Sequence, residues 1–155
     1  MRLKILISIL MLLLIITTVI AVGSMPEWDG LSIPIIETEI DDEFQWIRIP
    51  LTDISPSFAD AAYRLFFSKA GYGVPEDVTV LSIVIENGLL TLDVSENILS
   101  FGGGNAFEFA LTSQLLAIAA EIPEVERFSL AIEGEMRHLP EGSELIEIPL
   151  YEFLR

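Results

Sequence analysis

Hydrophobic and polar positions alternate most regularly between Val78 and Gly134, and this stretch predicts the centre of the fold. Apolar runs flank Asn87-Gly88, a pair typical of a two-residue type I′ turn because both central residues need positive φ. Side chains alternate along a strand, so the hairpin is expected to have one apolar face. The predicted pairs are Glu86–Leu89, Ile85–Leu90, Ile83–Leu92 and Leu81–Val94, and the apolar face holds Leu81, Ile83, Ile85, Leu90, Leu92 and Val94.

A helix is predicted after Gly102-Gly103-Gly104, with Asn105 as the N-cap and Glu108 completing a capping box. It ends at Pro123, and a strand with alternating apolar residues follows. The apolar stripe of the helix, expected to lie on the hairpin, consists of Phe107, Leu111, Leu115, Ile118 and Ile122. The strand is predicted to turn Phe128, Leu130 and Ile132 inward and Arg127, Ser129, Ala131 and Glu133 outward.

Shorter elements are predicted on both sides of this centre. Phe44 to Leu51 forms a first strand, and a helix over Pro56 to Lys69 begins with a capping box at Ser57 and Asp60. Leu145 to Leu150 forms a short last strand at a sheet edge. The order β-α-β-β-α-β predicts an α+β domain, with a mostly antiparallel sheet and two helices on one face.

The N-terminus predicts export from the cytoplasm. Arg2 and Lys4 precede an apolar run of roughly 18 residues, the lower limit for a spanning helix and longer than most signal-peptide cores. Residues 1–23 are therefore a signal peptide or a transmembrane anchor, and both remain open. Residues 24–42, rich in acids and prolines, are predicted to be a linker, and residues 43–155 the domain. A fragment beginning near Glu43 is expected to fold alone.

Net charge and composition argue against several classes of ligand and of chemistry. The 155 residues include 24 acidic and 8 basic residues, a net charge of −16 that argues against binding nucleic acid or anionic lipid. The chain has no cysteine, which excludes disulfides, thiolate metal sites, a cysteine nucleophile and a lipid-modified cysteine.

Candidate catalytic and metal-binding residues lack the motifs that such chemistry needs. Gly102–Gly104 has no following GK[ST], the lone His138 has no nucleophile motif, and the polar residues from Asp93 to Asn97 lack calcium-loop spacing. No enzyme, cofactor or metal site is predicted. Trp28 and Trp46 are candidates for stacking on a sugar, so glycan binding stays open.

The side of the long helix opposite its apolar stripe is almost uncharged, unlike an ordinary surface helix. Two explanations are open for this side. It is covered by the helix over Pro56 to Lys69, or it is exposed and contacts an envelope protein or a second copy of the chain. The candidate partner surface consists of Phe109, Ala110, Ser113, Leu116, Ala117 and Ala120.

Residues Phe44 to Arg155 resemble the GerMN domain of sporulation and spore germination proteins. The matching segments are the hairpin Val80–Ser95, the helix Ala110–Ile122, the strand Val125–Gly134 and the ending Ile148-Pro149-Leu150, with the helix over Pro56–Lys69 at the family's position. Unlike many relatives, the chain lacks a lipid-attachment cysteine, and it carries one copy of the domain where the sporulation channel-associated type has two.

The resemblance implies an extracytoplasmic protein, membrane-anchored or secreted, without an established active site. Its expected role is binding or scaffolding in the bacterial cell envelope during sporulation or spore germination. The expected partner is an envelope protein or a second copy, and membrane contact is made only through the N-terminal segment. The alternative function is a cell-wall glycan-binding module or an accessory to an envelope enzyme.

Overall fold

The computed structural model describes residues 32–40, 43–51, 57–69, 72–100 and 103–151. The predicted signal peptide or anchor, residues 1–23, lies outside these ranges, as does Trp28. Within the described ranges, the helices are too short or too polar for any of them to cross a membrane.

The described residues form two sheets and two α-helices. The strands are β1 (Ser32–Ile40), β2 (Glu43–Pro50), β3 (Val80–Glu86), β4 (Leu89–Val94), β5 (Arg127–Ile132), β6 (Glu135–Met136) and β7 (Ile148–Pro149), and the helices are α1 (Phe58–Ser68) and α2 (Gly104–Ala120). β1 pairs with β2, whereas the main sheet has the order β3-β4-β5-β6, with β7 also on β5. The α+β class is confirmed, with two sheets where one was predicted.

The β3–β4 hairpin has the predicted turn, with positive φ at both central residues. The pairs that agree with the prediction are Glu86–Leu89, Ile85–Leu90 and Ile83–Leu92. The fourth predicted pair is wrong, because a bulge shifts the register and Val80, not Leu81, pairs with Val94. The bulge places Val80 in the core and leaves Leu81 44% exposed.

The two strands of this hairpin differ in burial. The apolar face is confirmed on β4, where the fully buried side chains are Leu90, Leu92 and Val94. On β3 the prediction is partly wrong, because Ile83 is half-buried and Ile85 is 44% exposed. β3 is the outer strand of the main sheet, so one side of it lacks a neighbouring strand among the described residues.

α2 is the crossover between β4 and β5, which therefore run parallel. The core-facing residues of β5 are buried as predicted: Phe128, Leu130 and Ile132. Ser129 and Ala131, predicted to face outward, are buried as well. β5 is a central strand, and the Ser129 hydroxyl accepts a 2.8 Å hydrogen bond from the backbone N–H of Glu147 in the C-terminal segment.

β1 occupies residues that were predicted to belong to the acidic linker. It pairs antiparallel with β2, and its buried isoleucines are Ile33, Ile35 and Ile36. The linker prediction is wrong for this segment, because the burial of these side chains outweighs the neighbouring carboxylates. Pro34 is compatible with a strand that pairs on one side. The predicted first strand is confirmed as β2, although it lies outside the main sheet.

Both helices share the core with the same face of the main sheet, as predicted. α1 begins at the predicted cap, where the Ser57 hydroxyl accepts a hydrogen bond from Asp60 N at 3.2 Å. From α1, the Tyr63 ring lies 6.2 Å from Phe128, and its hydroxyl donates to the carbonyl of Leu115 at 2.9 Å. Burial raises the pKa of Tyr63 well above its usual value, so the phenol remains a neutral donor.

Candidate interaction surface

α2 lies between the main sheet and the β1–β2 hairpin. The sheet side holds most of the predicted stripe, namely Leu111, Leu115, Ile118 and Ile122, whereas Phe107 is 36% exposed. On the hairpin side, Ile36 N donates to Gln114 Oε1 at 2.7 Å, and Arg48 pairs with Glu121 at 2.5 Å. The β1–β2 hairpin therefore covers part of the surface that was predicted to meet α1 or a partner.

The six residues of the predicted partner surface fall into two groups. Ala110 and Leu116 are buried. Ala110 lies under the loop at Gly73, where an added Cβ would be only 3.0 Å from the Ala110 methyl group. The other four, which we call the outer line of α2, are Phe109, Ser113, Ala117 and Ala120; Phe109 is 62% exposed and the rest are half-buried.

Four aromatic rings from three segments meet at the N-terminal end of the outer line. Tyr72 stacks on Phe107 with centroids 4.7 Å apart, and Phe44 stacks on Phe109 at 5.8 Å. Phe44 also lies 5.9 Å from Tyr72, which joins the two pairs. These separations suit favourable ring contacts. We call the four residues the aromatic cluster; sequence reasoning missed it, because β2 and the Tyr72 loop are distant in the chain.

Gly103, the residue before α2, makes room for the Phe107 ring of this cluster. The helix begins at Gly104 with Gly103 as N-cap, so the predicted cap at Asn105 is wrong. A Cβ at Gly103 would lie 2.2 Å from the Phe107 ring, which explains why a residue without a side chain precedes the helix here.

Two buried polar side chains of α2 anchor the loops around the cluster. The carboxylate of Glu108 accepts hydrogen bonds from the backbone N–H groups of Glu141 at 2.7 Å and Ser143 at 2.8 Å. Gln114 donates to the carbonyl of Tyr72 at 3.0 Å. The capping-box role of Glu108 is therefore wrong, because its partners lie more than 30 residues away in sequence. Neither anchor had a local sequence signal.

The residues considered for catalysis or metal binding mostly hold the backbone in place. Asp93 Oδ1 accepts from Gly134 N, and the Ser95 hydroxyl accepts from Thr79 N, each at 2.9 Å. The His138 side chain is 65% exposed. Over the described ranges, no group of three histidine or acidic side chains is placed to hold a metal ion. The aromatic cluster and the outer line are thus the best-supported candidate site.

A family comparison agrees with this fold. The sequence profile described as "Germane: Sporulation and spore germination" matches residues 48–138, more than half of the chain. The chain belongs to the Germane family, whose domain is called GerMN. The match spans the β3–β4 hairpin, α2 and β5, so the resemblance drawn from those segments is confirmed. No curated protein matches the chain.

Solved structures, two of them of GerMN domains, show the same fold. The first GerMN domain of the sporulation protein GerM from Bacillus subtilis is 18% identical with a TM-score of 0.57, over 77% of this chain and 96% of that one. The tandem GerMN domains of GerM give a TM-score of 0.50 at 18% identity, over 82% of this chain and 48% of theirs. A candidate lipoprotein from Clostridium perfringens gives 0.52 at 17% identity, over 77% and 84%. At these identities the likeness establishes the fold alone.

Proposed function

We propose that this GerMN protein is a non-catalytic binding or scaffolding module on the extracytoplasmic side of a bacterial envelope, acting in sporulation or spore germination. The family description supports the link to these processes. The basic and apolar N-terminal residues support export, and the likeness to a candidate lipoprotein agrees with that compartment.

The observation that carries this proposal is the exposed aromatic cluster at the end of the outer line. Phe109 is 62% exposed, although it is one of the largest apolar side chains on α2. Its stacking on Phe44 holds the ring in place before any partner arrives. A preordered aromatic side chain is a common energetic centre of protein–protein contacts, because it buries a large area at little entropic cost.

The charge distribution favours association at the same place. The outer line carries no charged side chain, in a chain with a net charge of −16. Glu108 is buried against the Glu141–Ser143 backbone, and Glu121 is paired with Arg48. A partner that contacts the outer line therefore meets no charged side chain on the line itself.

Glycan binding is the rival function, and the aromatic cluster is the feature that favours it. A sugar face stacks on an exposed ring, and the outer face of Phe109 offers one. However, the cluster rings are stacked in pairs, so one face of each is already occupied. Trp46 is half-buried on β2. We favour a protein partner, because the surface that continues from Phe109 is lined by Ser113, Ala117 and Ala120, and the Ser113 hydroxyl is the one hydrogen-bonding side chain of this outer line.

Site-specific crosslinking in cells tests this proposal. A photo-crosslinking residue at Ser113 of the full-length protein is expected to capture a discrete envelope protein in sporulating cells. Adding Ala117→Glu should remove that product while the melting temperature of the purified protein stays unchanged. Met136→Glu is the matched control, because it adds the same charge at a residue of β6 that is 46% exposed.

Four results would contradict the proposal. A drop of several degrees in the melting temperature of Ala117→Glu would assign this side of α2 to the core. Equal loss of the crosslinked product with Met136→Glu would show that added negative charge weakens binding nonspecifically. Retention of the purified protein on isolated peptidoglycan, lost in Phe109→Ala, would favour the glycan-binding rival. A turnover abolished by His138→Ala at an unchanged melting temperature would contradict the non-catalytic assignment.

A further inference from the structure

The open edge of β3 offers backbone hydrogen-bonding groups. β4 is its only strand neighbour within the described ranges. A two-residue turn makes Glu86–Leu89 a hydrogen-bonded pair, and bonded and non-bonded pairs alternate from there. Ile83 and Ile85 fall in the non-bonded pairs. Their backbone N–H and C=O groups therefore point away from β4, in the direction from which another strand would pair.

The side chains along this edge are apolar and partly exposed. Leu81, Val84 and Ile85 are each 44% or 45% exposed, and no charged residue lies between Val80 and Ile85. Natural edge strands usually carry lysine, proline or inward-pointing charges that prevent pairing. Of such protective features, β3 has only its bulge near Leu81. The part of β3 beyond the bulge, with Ile83 and Ile85, can therefore still accept an added strand.

A groove between α1 and the start of β3 continues this edge. Its volume is about 230 Å³, and it is lined by Arg64, Phe67, Ser68, Val78, Thr79 and Val80. Phe67, Val78 and Val80 form an apolar floor. The groove is smaller than the roughly 300–1,000 Å³ of small-molecule sites, and its size suits one or two side chains of an extended segment.

Charge identifies the kind of segment that fits. Glu86 and Glu126 are exposed beside the turn at Gly88, where an added Cβ would lie 3.5 Å from the Glu126 carboxyl group. The nearby cation, Arg127, is already paired with Glu147. A second copy would bring another net charge of −16 to this edge, whereas a basic residue would neutralise the turn end.

We propose that β3 and the α1 groove bind an extended segment of a partner protein as an added strand. The segment carries alternating apolar side chains and a basic residue beside Glu86. Its backbone pairs with Ile83 and Ile85, and one apolar side chain enters the groove above Phe67. This surface is independent of the outer line of α2, so either proposal stands without the other.

Peptide probes against the full-length protein test this proposal. The probe is a fluorescein-labelled peptide of sequence KTVTVTVTK, which is expected to bind in fluorescence anisotropy. The same peptide with proline at its centre, KTVTPTVTK, should bind about tenfold more weakly, because it cannot form the continuous strand ladder. The acidic peptide ETVTVTVTE should fail to bind.

Two protein variants locate the binding site. Ile85→Pro removes the outward N–H and is expected to weaken binding about tenfold, whereas Ile85→Thr keeps that N–H and should change binding less. Glu86→Lys, a surface change with little risk to folding, should weaken binding of the basic probe and strengthen binding of the acidic peptide.

Four results would overturn the proposal. These are no binding of KTVTVTVTK, equal binding of the proline peptide, unchanged binding by Glu86→Lys, or dimerisation of the full-length chain that Glu86→Lys strengthens. The last result would identify a second copy as the occupant. If Ile85→Pro does not fold, the proline peptide and Glu86→Lys decide the question.

Discussion

The first strands of the two hairpins, β1 and β3, differ in burial, and the more apolar of the two is the more exposed. On β1, Ile33 is fully buried in the core that it shares with α2, and Ile36 is fully buried as well. On β3, Val84 and Ile85 remain nearly half exposed at the edge of the main sheet. The difference arises because β1 packs against α2, whereas β3 is the outer strand of the main sheet.

This contrast shows that apolar content predicts that a strand forms but not how deeply it is buried. Turn chemistry and alternation identify a hairpin from local sequence. Burial depends on which distant element covers each face. The same contrast suggests different roles: β1 stabilises the domain, while β3 is available for binding.

The largest expected effect follows from removing β1. A fragment of residues 43–155 lacks three buried isoleucines, each contributing about 1.5–3 kcal/mol, which together rival the roughly 5–15 kcal/mol stability of a domain. We expect this fragment to lose cooperative unfolding, whereas residues 24–155 unfold in one transition. Urea titrations followed by circular dichroism measure this. Equal stability of the two fragments would support the prediction that residues 24–42 are a linker.

A matched pair of truncations compares the hairpins directly. Ile33→Ala removes a fully buried side chain and should lower the free energy of unfolding by about 2–5 kcal/mol. Val84→Ala removes a side chain that is 45% exposed and should cost less than about 1 kcal/mol. Both values come from urea denaturation. If Val84→Ala costs as much as Ile33→Ala, then β3 is covered in solution.

The attachment of β1 also depends on one polar side chain. Gln114→Ala leaves the buried N–H of Ile36 without its 2.7 Å acceptor, which should lower the free energy of unfolding by about 1–3 kcal/mol. The neighbouring change Ser113→Ala is the control, because its half-buried hydroxyl lies on the outer line. Amide hydrogen exchange at Ile36 should accelerate in the first variant alone. If exchange at Ile36 stayed slow in Gln114→Ala, the hydrogen bond from Ile36 to Gln114 would not be what holds β1 in place.

The smallest effect is expected at the turn of the β3–β4 hairpin. Gly88 has a φ of +74°, so Gly88→Ala should lower the free energy of unfolding by about 1 kcal/mol through backbone strain. Asn87→Gly accepts the positive φ of its position and should change stability by less than about 0.5 kcal/mol. Thermal melts of both variants test the turn. A larger loss of stability for Asn87→Gly than for Gly88→Ala would contradict this explanation of the turn.

Local signals account for the parts of the fold that were predicted correctly. The turn at Gly88 and the cap at Ser57 depend on residues next to one another in sequence, so their chemistry is visible without a structure. The capping box at Glu108 had the same kind of signal and was wrong. Its carboxylate bonds the Glu141–Ser143 turn instead, and sequence spacing contains no information about such distant partners.

The candidate site was only partly predictable for the same reason. Helical periodicity placed Phe109 and Ala117 on one side of α2, and both belong to the outer line. It could not separate them from Leu116, which is buried because of elements folded around the helix. The aromatic cluster needed Phe44 and Tyr72, which come from β2 and a loop.

The sequence by itself determined the α+β class, the β3–β4 turn, the position of α2 and the family, because each depends on local conformational preference or on a linear pattern. Only the tertiary structure decided which apolar surfaces are covered. Burial is a property of two surfaces in contact, and the second surface usually comes from far along the chain. That is why β1, with its proline and two glutamates, was predicted as linker although it is buried, while the more apolar β3 lies at an open edge.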